Sequence, residues 1–285
     1  MSALRVAVSD GPLRSEHERL LRTALKRGGL VPEPRAGERI DTAAYAPEAL
    51  RAARRIWLLR MVNEYRSATV FSGLLPQLVE AEATVDVQTT VLRCAMDEIR
   101  HGTLCGALVE TLGGEAVVET DLSPRPLPEH AGCTPRERAL RNLLFVGCLS
   151  ETAAVATTHE ERERTTDPIV RRVIDQICAD EVLHARVGWA FVQELVPRLG
   201  EDELARTNRY LRTAFAYFER KEMEAMPDVP IPPDEGVRRD GLALGVCENR
   251  EARALFHATV ADVILPGLDS AGLAATEAWH DRHAA

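Results

Sequence analysis

Apolar side chains recur every three or four residues over long stretches of this chain, and polar residues fill the positions between them. That period is typical of α-helices with one buried face. It predicts helices over residues 48–72, 86–113, 134–164, 168–197, 201–226 and 249–264. The last dozen residues are expected either to form a short helix or to fray. Only residues 4–8 alternate as a β-strand would, so we predict an all-α fold.

Local signals support several of these helix ends. Thr134-Pro135-Arg136-Glu137 is a capping box with proline in the first turn, and Asp167 precedes a proline in the same way. Asp86 and Asn249 are expected N-caps. Pro76 is expected to bend or end the first long helix, because proline lacks the backbone N–H that a helix interior needs.

Prolines also suggest how the chain is organised. We predict an N-terminal extension over 1–44, a helical bundle over 45–226, and a third part over 227–285. The third part begins with a proline-rich linker, 227–237, and continues as a C-terminal helical segment. Within the bundle, the proline-containing stretch 114–133 is expected to be a crossover loop.

Composition and charge narrow the functional classes. The net charge is −9, from 35 basic and 44 acidic residues, which argues against a nucleic-acid partner. No apolar run approaches about 18 residues, so we expect no membrane span. The first residues lack the apolar core of a signal peptide, and the six cysteines form no Cys-x-x-Cys pair. We therefore expect a cytoplasmic protein whose cysteines are reduced.

Two short runs carry the candidate chemistry. Asp97-Glu98-Ile99-Arg100-His101 and Asp180-Glu181-Val182-Leu183-His184 share the pattern Asp-Glu-x-x-His. Glu and His three residues apart lie on the same face of a helix. A lone glutamate precedes each run, Glu64 by 34 residues and Glu151 by 30 residues. Four carboxylates and two imidazoles on four helices are the ligand set of a dinuclear metal site.

The two lone glutamates lie on apolar helix faces. A buried carboxylate is costly unless it is paired, protonated or bound to a metal ion. Four glutamates carry a charge of −4, which balances two divalent cations, and oxygen and imidazole donors suit iron or manganese. The alternative is that each Glu-His pair is an ordinary polar pair and that Glu64 and Glu151 lie at the surface. A single Glu-x-x-His pattern can also occur by chance. Glu277-Ala278-Trp279-His280 is an example, because it has no repeat and no upstream glutamate partner.

The residues around the ligands have predicted supporting roles. Asp97 and Asp180 are each expected to accept the second ring N–H of a ligand histidine, on the opposite helix. Six residues that share a helix face with the lone glutamates are candidates for the wall of a substrate cavity: Trp57, Met61, Ala68, Phe71, Cys148 and Val155. The alternative is that they are ordinary core residues.

The ligand pattern resembles the ferritin-like non-haem di-iron carboxylate superfamily, over residues 48–200. The resemblance implies a ferritin-like four-helix bundle with a long crossover, and two iron ions, or one manganese and one iron. It assigns Glu64, Glu98 and His101 to one ion and Glu151, Glu181 and His184 to the other. Two of the glutamates would bridge the ions, and the spacing does not say which.

Departures from better-known branches of that superfamily restrict the resemblance. Ribonucleotide reductase small subunits have Asp and a radical Tyr where this chain has Glu64 and Cys105. Arylamine N-oxygenases have a third His at the position of Ile177, and hydrocarbon monooxygenases have Thr at the position of Val155. Rubrerythrins add a rubredoxin module with Cys-x-x-Cys pairs. The pattern is closest to aldehyde-deformylating oxygenases, tRNA-hydroxylating enzymes and stand-alone oxidases, and the acidic chain disfavours the tRNA branch.

The resulting prediction is a di-iron oxidase or oxygenase that uses O₂ to oxidise a small organic molecule. A separate electron donor, such as a ferredoxin or reductase, is implied because no reductase module is visible. One alternative is an iron-handling or peroxide-scavenging protein, rubrerythrin-like without the rubredoxin module. Another is a structural module with a vestigial site. The oligomeric state stays open, with a homodimer as one option.

Overall fold

The computed structural model describes residues 2–4, 39–121, 123, 126–227 and 234–284. In these residues the prediction of an all-α fold is confirmed. The helices are α1 Pro47–Glu80, α2 Val85–Thr111, α3 Pro135–Leu143, α4 Glu151–Arg164, α5 Pro168–Leu195, α6 Glu201–Ala225, α7 Glu235–Ala243, α8 Asn249–Thr259, α9 Leu265–Ser270 and α10 Ala275–His280. Three 3₁₀ turns lie at Thr42–Ala44, Val196–Arg198 and Asp281–His283. One antiparallel strand pair joins Ser2–Leu4 to Val118–Thr120.

Helices α1 and α2 pack along each other and form the first helical pair. Helix α1 runs through Pro76 and ends at Glu80, so the expectation that Pro76 ends it is wrong. Proline near the end of a helix removes one backbone hydrogen bond, and the packed residues Leu74 and Leu78 on either side keep the last turns helical. Helix α2 starts after Thr84 rather than after the expected cap Asp86.

The second helical pair is α4 against α5. The predicted capping box at Thr134 is present, with Glu137 as its partner. Asp167 caps α5 by accepting hydrogen bonds from two backbone N–H groups, as the sequence indicates. Between α3 and α4 the helix is π-helical over Leu144–Ser150, which the sequence pattern does not predict. This wider segment ends directly before Glu151, and such insertions are frequent at functional sites.

The two pairs meet where α2 packs against α5, and a polar layer separates two apolar clusters there. On α1, Met61 belongs to one cluster and Phe71 to the other, with Glu64 between them. On α2, Cys94 and Leu104 similarly flank the Glu-x-x-His run. The fold therefore buries the candidate ligands inside the protein, between two apolar layers.

The C-terminal part is more helical than the sequence indicates. Residues 235–237, predicted as linker, begin helix α7, whose N-cap Asp234 accepts backbone hydrogen bonds from Gly236 and Val237. Helix α8 begins at Asn249 with Glu248 as its cap, and a short helix forms near the chain end. Predictions for residues 5–38, including most of the strand at 4–8, and for 228–233 lie outside the described residues.

One helical stretch of the described residues, Pro135–Arg164, is long and apolar enough to cross a membrane by length and composition. Within its most apolar window, 67% is buried inside the protein. This burial is typical of the core helix of a globular protein.

Candidate metal centre

The six predicted ligands come from four helices and converge in the polar layer. Glu64 lies on α1, Glu98 and His101 on α2, Glu151 at the first position of α4, and Glu181 and His184 on α5. The spacing of three residues places each Glu and its His on the inward face of one helix. Both histidines are fully buried, and of the glutamates only Glu64 is partly exposed, with 16% of its side chain accessible.

The ligand atoms form two overlapping groups. One group contains Glu64, Glu98, His101 and Glu181, and the other contains Glu98, Glu151, Glu181 and His184. Within each group the candidate ligand atoms all lie within 4.8 Å of one another. Glu98 and Glu181 belong to both groups, so each would be within reach of two ions if both groups held metal. Which glutamates are shared depends on how α2 and α5 pack, which spacing along the sequence does not reveal.

Both imidazoles point the same ring nitrogen at the carboxylates. Nδ1 of His184 lies 3.0 Å from Glu98 Oε1 and 3.2 Å from Glu181 Oε2. Nδ1 of His101 lies 3.4 Å from Glu181 Oε1 and 3.6 Å from Glu64 Oε2. Nδ1 is therefore the nitrogen available to a metal ion at each histidine.

Crowded carboxylates shift one another's acidity. Burial and the neighbouring carboxylates raise the pKa of Glu98 and Glu151 well above the usual range. For Glu181, burial alone would raise the pKa, but His184 and His101 outweigh burial and lower it well below the usual range. The four carboxylates can all be charged only when positive charge, from protons or metal ions, lies beside them.

The donor atoms that face the centre lack hydrogen-bond partners in the described residues. These are Glu98 Oε2, Glu181 Oε2, His101 Nδ1 and His184 Nδ1. Unpaired buried polar atoms cost free energy, and two metal ions, one in each ligand group, would satisfy all four. The residues present therefore fit two metal ions with carboxylate and imidazole ligands, a donor set that suits iron or manganese.

An outer layer of charges surrounds the two histidines. Asp180 Oδ2 lies 3.1 Å from Nε2 of His101, across the helix interface, and Asp97 Oδ2 lies 3.8 Å from Nε2 of His184. The first distance is a hydrogen bond and the second is too long for one. Burial opposes ionisation of Asp180, but His101 and Arg100 outweigh it and lower the pKa of Asp180 to about 2.

Two arginines complete this layer, and sequence analysis missed both. Arg100 is ion-paired with Asp180 and lies 3.3 Å from Asp97, while Arg93 donates to Asp97 at 2.7 Å. Two arginines neutralise two aspartates, which leaves the charge of the four glutamates for the metal ions. Arg93 and Arg100 lie four residues before and three residues after Asp97 on one helix. This spacing allows ion pairs, so both arginines could have been predicted from the sequence.

A cavity of about 940 Å³ opens beside this centre. It lies between α1, the loop residues 126–133, the π-helical segment and α6, and Glu151 is part of its wall. Of the predicted cavity residues, Phe71 lines it, and the Phe71 ring packs edge-on against His184 with centroids 5.3 Å apart. The other five do not line this cavity: Trp57, Met61, Ala68 and Cys148 are buried in the core and Val155 is half-buried.

Comparison with known proteins adds no family to this picture, because no protein-family model and no curated protein matches the chain. The structure thus establishes a helical protein with a buried Glu/His cluster able to hold metal.

Proposed function

We propose that this protein is a non-haem di-iron oxidase or oxygenase that oxidises an organic molecule with O₂. The observation that carries the proposal is the pair of overlapping ligand groups sharing Glu98 and Glu181, with a cavity reaching Glu151. Bound in these groups, two iron ions would supply the binding and reduction of O₂, with electrons from a separate donor.

The protein's own residues have separable tasks in this proposal. The four glutamates hold a charge that matches two divalent ions. Asp180 holds the proton on Nε2 of His101, so that Nδ1 stays free as a ligand. Phe71 covers the His184 ring on the cavity side and limits the access of water. The cavity gives an organic molecule a path to Glu151, and this favours oxidation of a substrate over iron storage.

The test is anaerobic loading of the full-length protein with Fe(II), followed by gel filtration, metal analysis and exposure to O₂. We expect two irons per chain and rapid O₂ consumption by the reduced protein. Less than one iron per chain, or no O₂ consumption, would contradict the proposal. Dozens of irons per chain would instead support iron storage, and peroxide turnover without an organic substrate would support a scavenger.

Replacing Asp180 with asparagine is expected to weaken Fe(II) binding about tenfold to a hundredfold, the usual effect of losing such a support. The substitution keeps the shape of the side chain but removes the charge that holds the His101 ring. Competition with a chromophoric Fe(II) chelator measures the change. Asp262→Asn, at an exposed position on a second π-helical segment, Val260–Ile264, is the control and should bind as the wild type does. Equal affinity in the two variants would exclude a role for Asp180.

A further inference from the structure

The cavity beside the metal centre is far more basic than the rest of the protein. Among the described residues of its wall, five side chains are cationic and one, Glu151, is a carboxylate; the cations are Arg141, Arg206, Arg209, Arg220 and Lys221. The whole chain carries a net charge of −9. A concentration of positive charge in one cleft of an acidic protein favours an anionic ligand there.

Arg141 is the cation best placed to bind such an anion. Its guanidinium stacks over the Tyr210 ring at 5.1 Å and donates a long hydrogen bond to the Arg206 carbonyl. Among the described residues, the contacts of its guanidinium are this carbonyl and this ring, with no carboxylate, and its buried Nε has no hydrogen-bond partner. Arg206, by contrast, is already paired with Glu137 at 2.7 Å. Arg141 is therefore held in position while its charge stays uncompensated.

The surroundings of Arg141 make this end of the cavity rigid. The neighbouring Asn142 donates to the Gln77 side chain at 2.7 Å and to the Pro128 carbonyl at 2.9 Å. Nε2 of His130 lies 3.0 Å from the Asn142 side-chain oxygen. These contacts fix helix α3 against α1 and the crossover loop, so the Arg141 end is preorganised.

The wall also contains apolar side chains. Phe145 and Val146 lie between Arg141 and Glu151 along the helix, and Phe71 packs against His184. Val70 on α1 and Ala214 on α6 line the same cavity. Ten residues separate Arg141 from Glu151 along the helix, which is at most about 15 Å, because the intervening π-helical segment rises less per residue than an α-helix. The cations attract the charged group of an anionic ligand, and the apolar side chains favour its uncharged part, so the uncharged end should face Glu151.

We infer that the cavity binds an amphipathic anion, with its carboxylate or phosphate at Arg141 and its hydrocarbon chain directed towards Glu151. An extended chain advances about 3.5 Å for every three bonds, so a chain of about a dozen bonds is long enough to span the distance. The inference rests on the proposed function only in that the chain end near Glu151 would be the part that is oxidised. Binding itself is a property of Arg141 and the apolar wall.

The experiment compares probes with one tail and different heads: dodecanoate, dodecyl phosphate and dodecanol, titrated into the iron-loaded wild-type protein by calorimetry. We expect at least one of the two anions to bind at one per chain and more tightly than dodecanol. The tighter of the two anions identifies the head group. Equal affinity for dodecanol and both anions would overturn the inference, and this comparison needs no variant.

Arg141→Met is expected to weaken binding of the anion about tenfold to a hundredfold, as for a lost charged hydrogen bond, and to leave dodecanol binding unchanged. Arg141→Lys should recover part of the loss. Arg198→Met, at a side chain that is 65% exposed and paired with Glu194, is the matched control. An unchanged anion affinity in a folded Arg141→Met protein would overturn the inference.

Repeating the titration with Glu98→Gln separates the inference from the proposed function. Glu98 does not line the cavity, so the anion should still bind even where that variant has lost its metal. Anion binding without O₂ consumption in the wild type would contradict the proposed function alone. O₂ consumption without selective anion binding would contradict the inference alone.

Discussion

Replacing Glu98 with glutamine is expected to reduce the iron content from two ions per chain to less than one and to abolish O₂ consumption. Glu98 belongs to both ligand groups, so losing its charge affects both ions. The substitution nearly preserves side-chain volume. It also removes a buried carboxylate whose pKa is raised by burial, so the metal-free protein should stay folded. Metal analysis after anaerobic Fe(II) loading measures the effect, and circular dichroism confirms the fold.

Glutamates that belong to only one ligand group provide the matched comparison. Glu64→Gln and Glu151→Gln each remove a ligand from only one group, so each variant should retain about one ion. Glu277→Gln changes the third Glu-x-x-His copy, whose glutamate is exposed and pairs with Arg212, and it should retain both ions. Two ions in Glu98→Gln, or complete metal loss in both Glu64→Gln and Glu151→Gln, would contradict the bridging role of Glu98.

The burial of the six candidate ligands on inward helix faces was predictable from the sequence, because it depends on local geometry. A spacing of three residues determines which side chains share a helix face, and the apolar period determines which face is buried. Duplication of the Asp-Glu-x-x-His run added the information that a single copy lacks. The capping box at Thr134 and the cap at Asp167 were predictable for the same reason, since a cap involves only neighbouring residues.

Features that depend on contacts between helices were not predictable. The sharing of Glu98 and Glu181 follows from how α2 meets α5, and the cavity follows from the distance between α1 and α6. The ion pairs of Arg93 and Arg100 with Asp97 were predictable from their spacing on one helix. Their pairs with Asp180 were not, because Asp180 lies on another helix. The continuation of α1 through Pro76 shows packing overriding a local preference.

The close approach of two glycines positions two of the candidate ligands. Gly147 lies in the π-helical segment and Gly188 on α5, and a Cβ atom added to either would lie 2.6 Å from the Cα of the other. The two backbones therefore touch with no room for a Cβ atom between them, and only glycine permits this. Glu151 follows Gly147 by four residues and His184 precedes Gly188 by four, so this contact sets the separation of the two ligands.

Gly188→Ala is therefore expected to force α5 away from the π-helical segment, with loss of both stability and metal. Overpacking of a tight core site costs about 1–3 kcal/mol or more, and here the obstacle is backbone that cannot rotate away. We expect the melting temperature of the metal-free protein to fall by about 5–10 °C. The iron content should fall below two per chain, because Glu151 and His184 no longer meet in one ligand group.

Gly73→Ala is the matched control, since it places the same methyl group on a helical glycine with room for it. The added Cβ at position 73 would lie 3.5 Å from Leu127 Cδ1, an ordinary contact, and alanine is the better helix former by about 0.5–1 kcal/mol. Gly73→Ala should therefore melt at the same temperature as the wild type or slightly higher, and retain its iron. Thermal unfolding and metal analysis of both variants decide the matter. If Gly188→Ala keeps its melting temperature and two irons, the separation of α5 from the π-helical segment does not depend on the glycine contact.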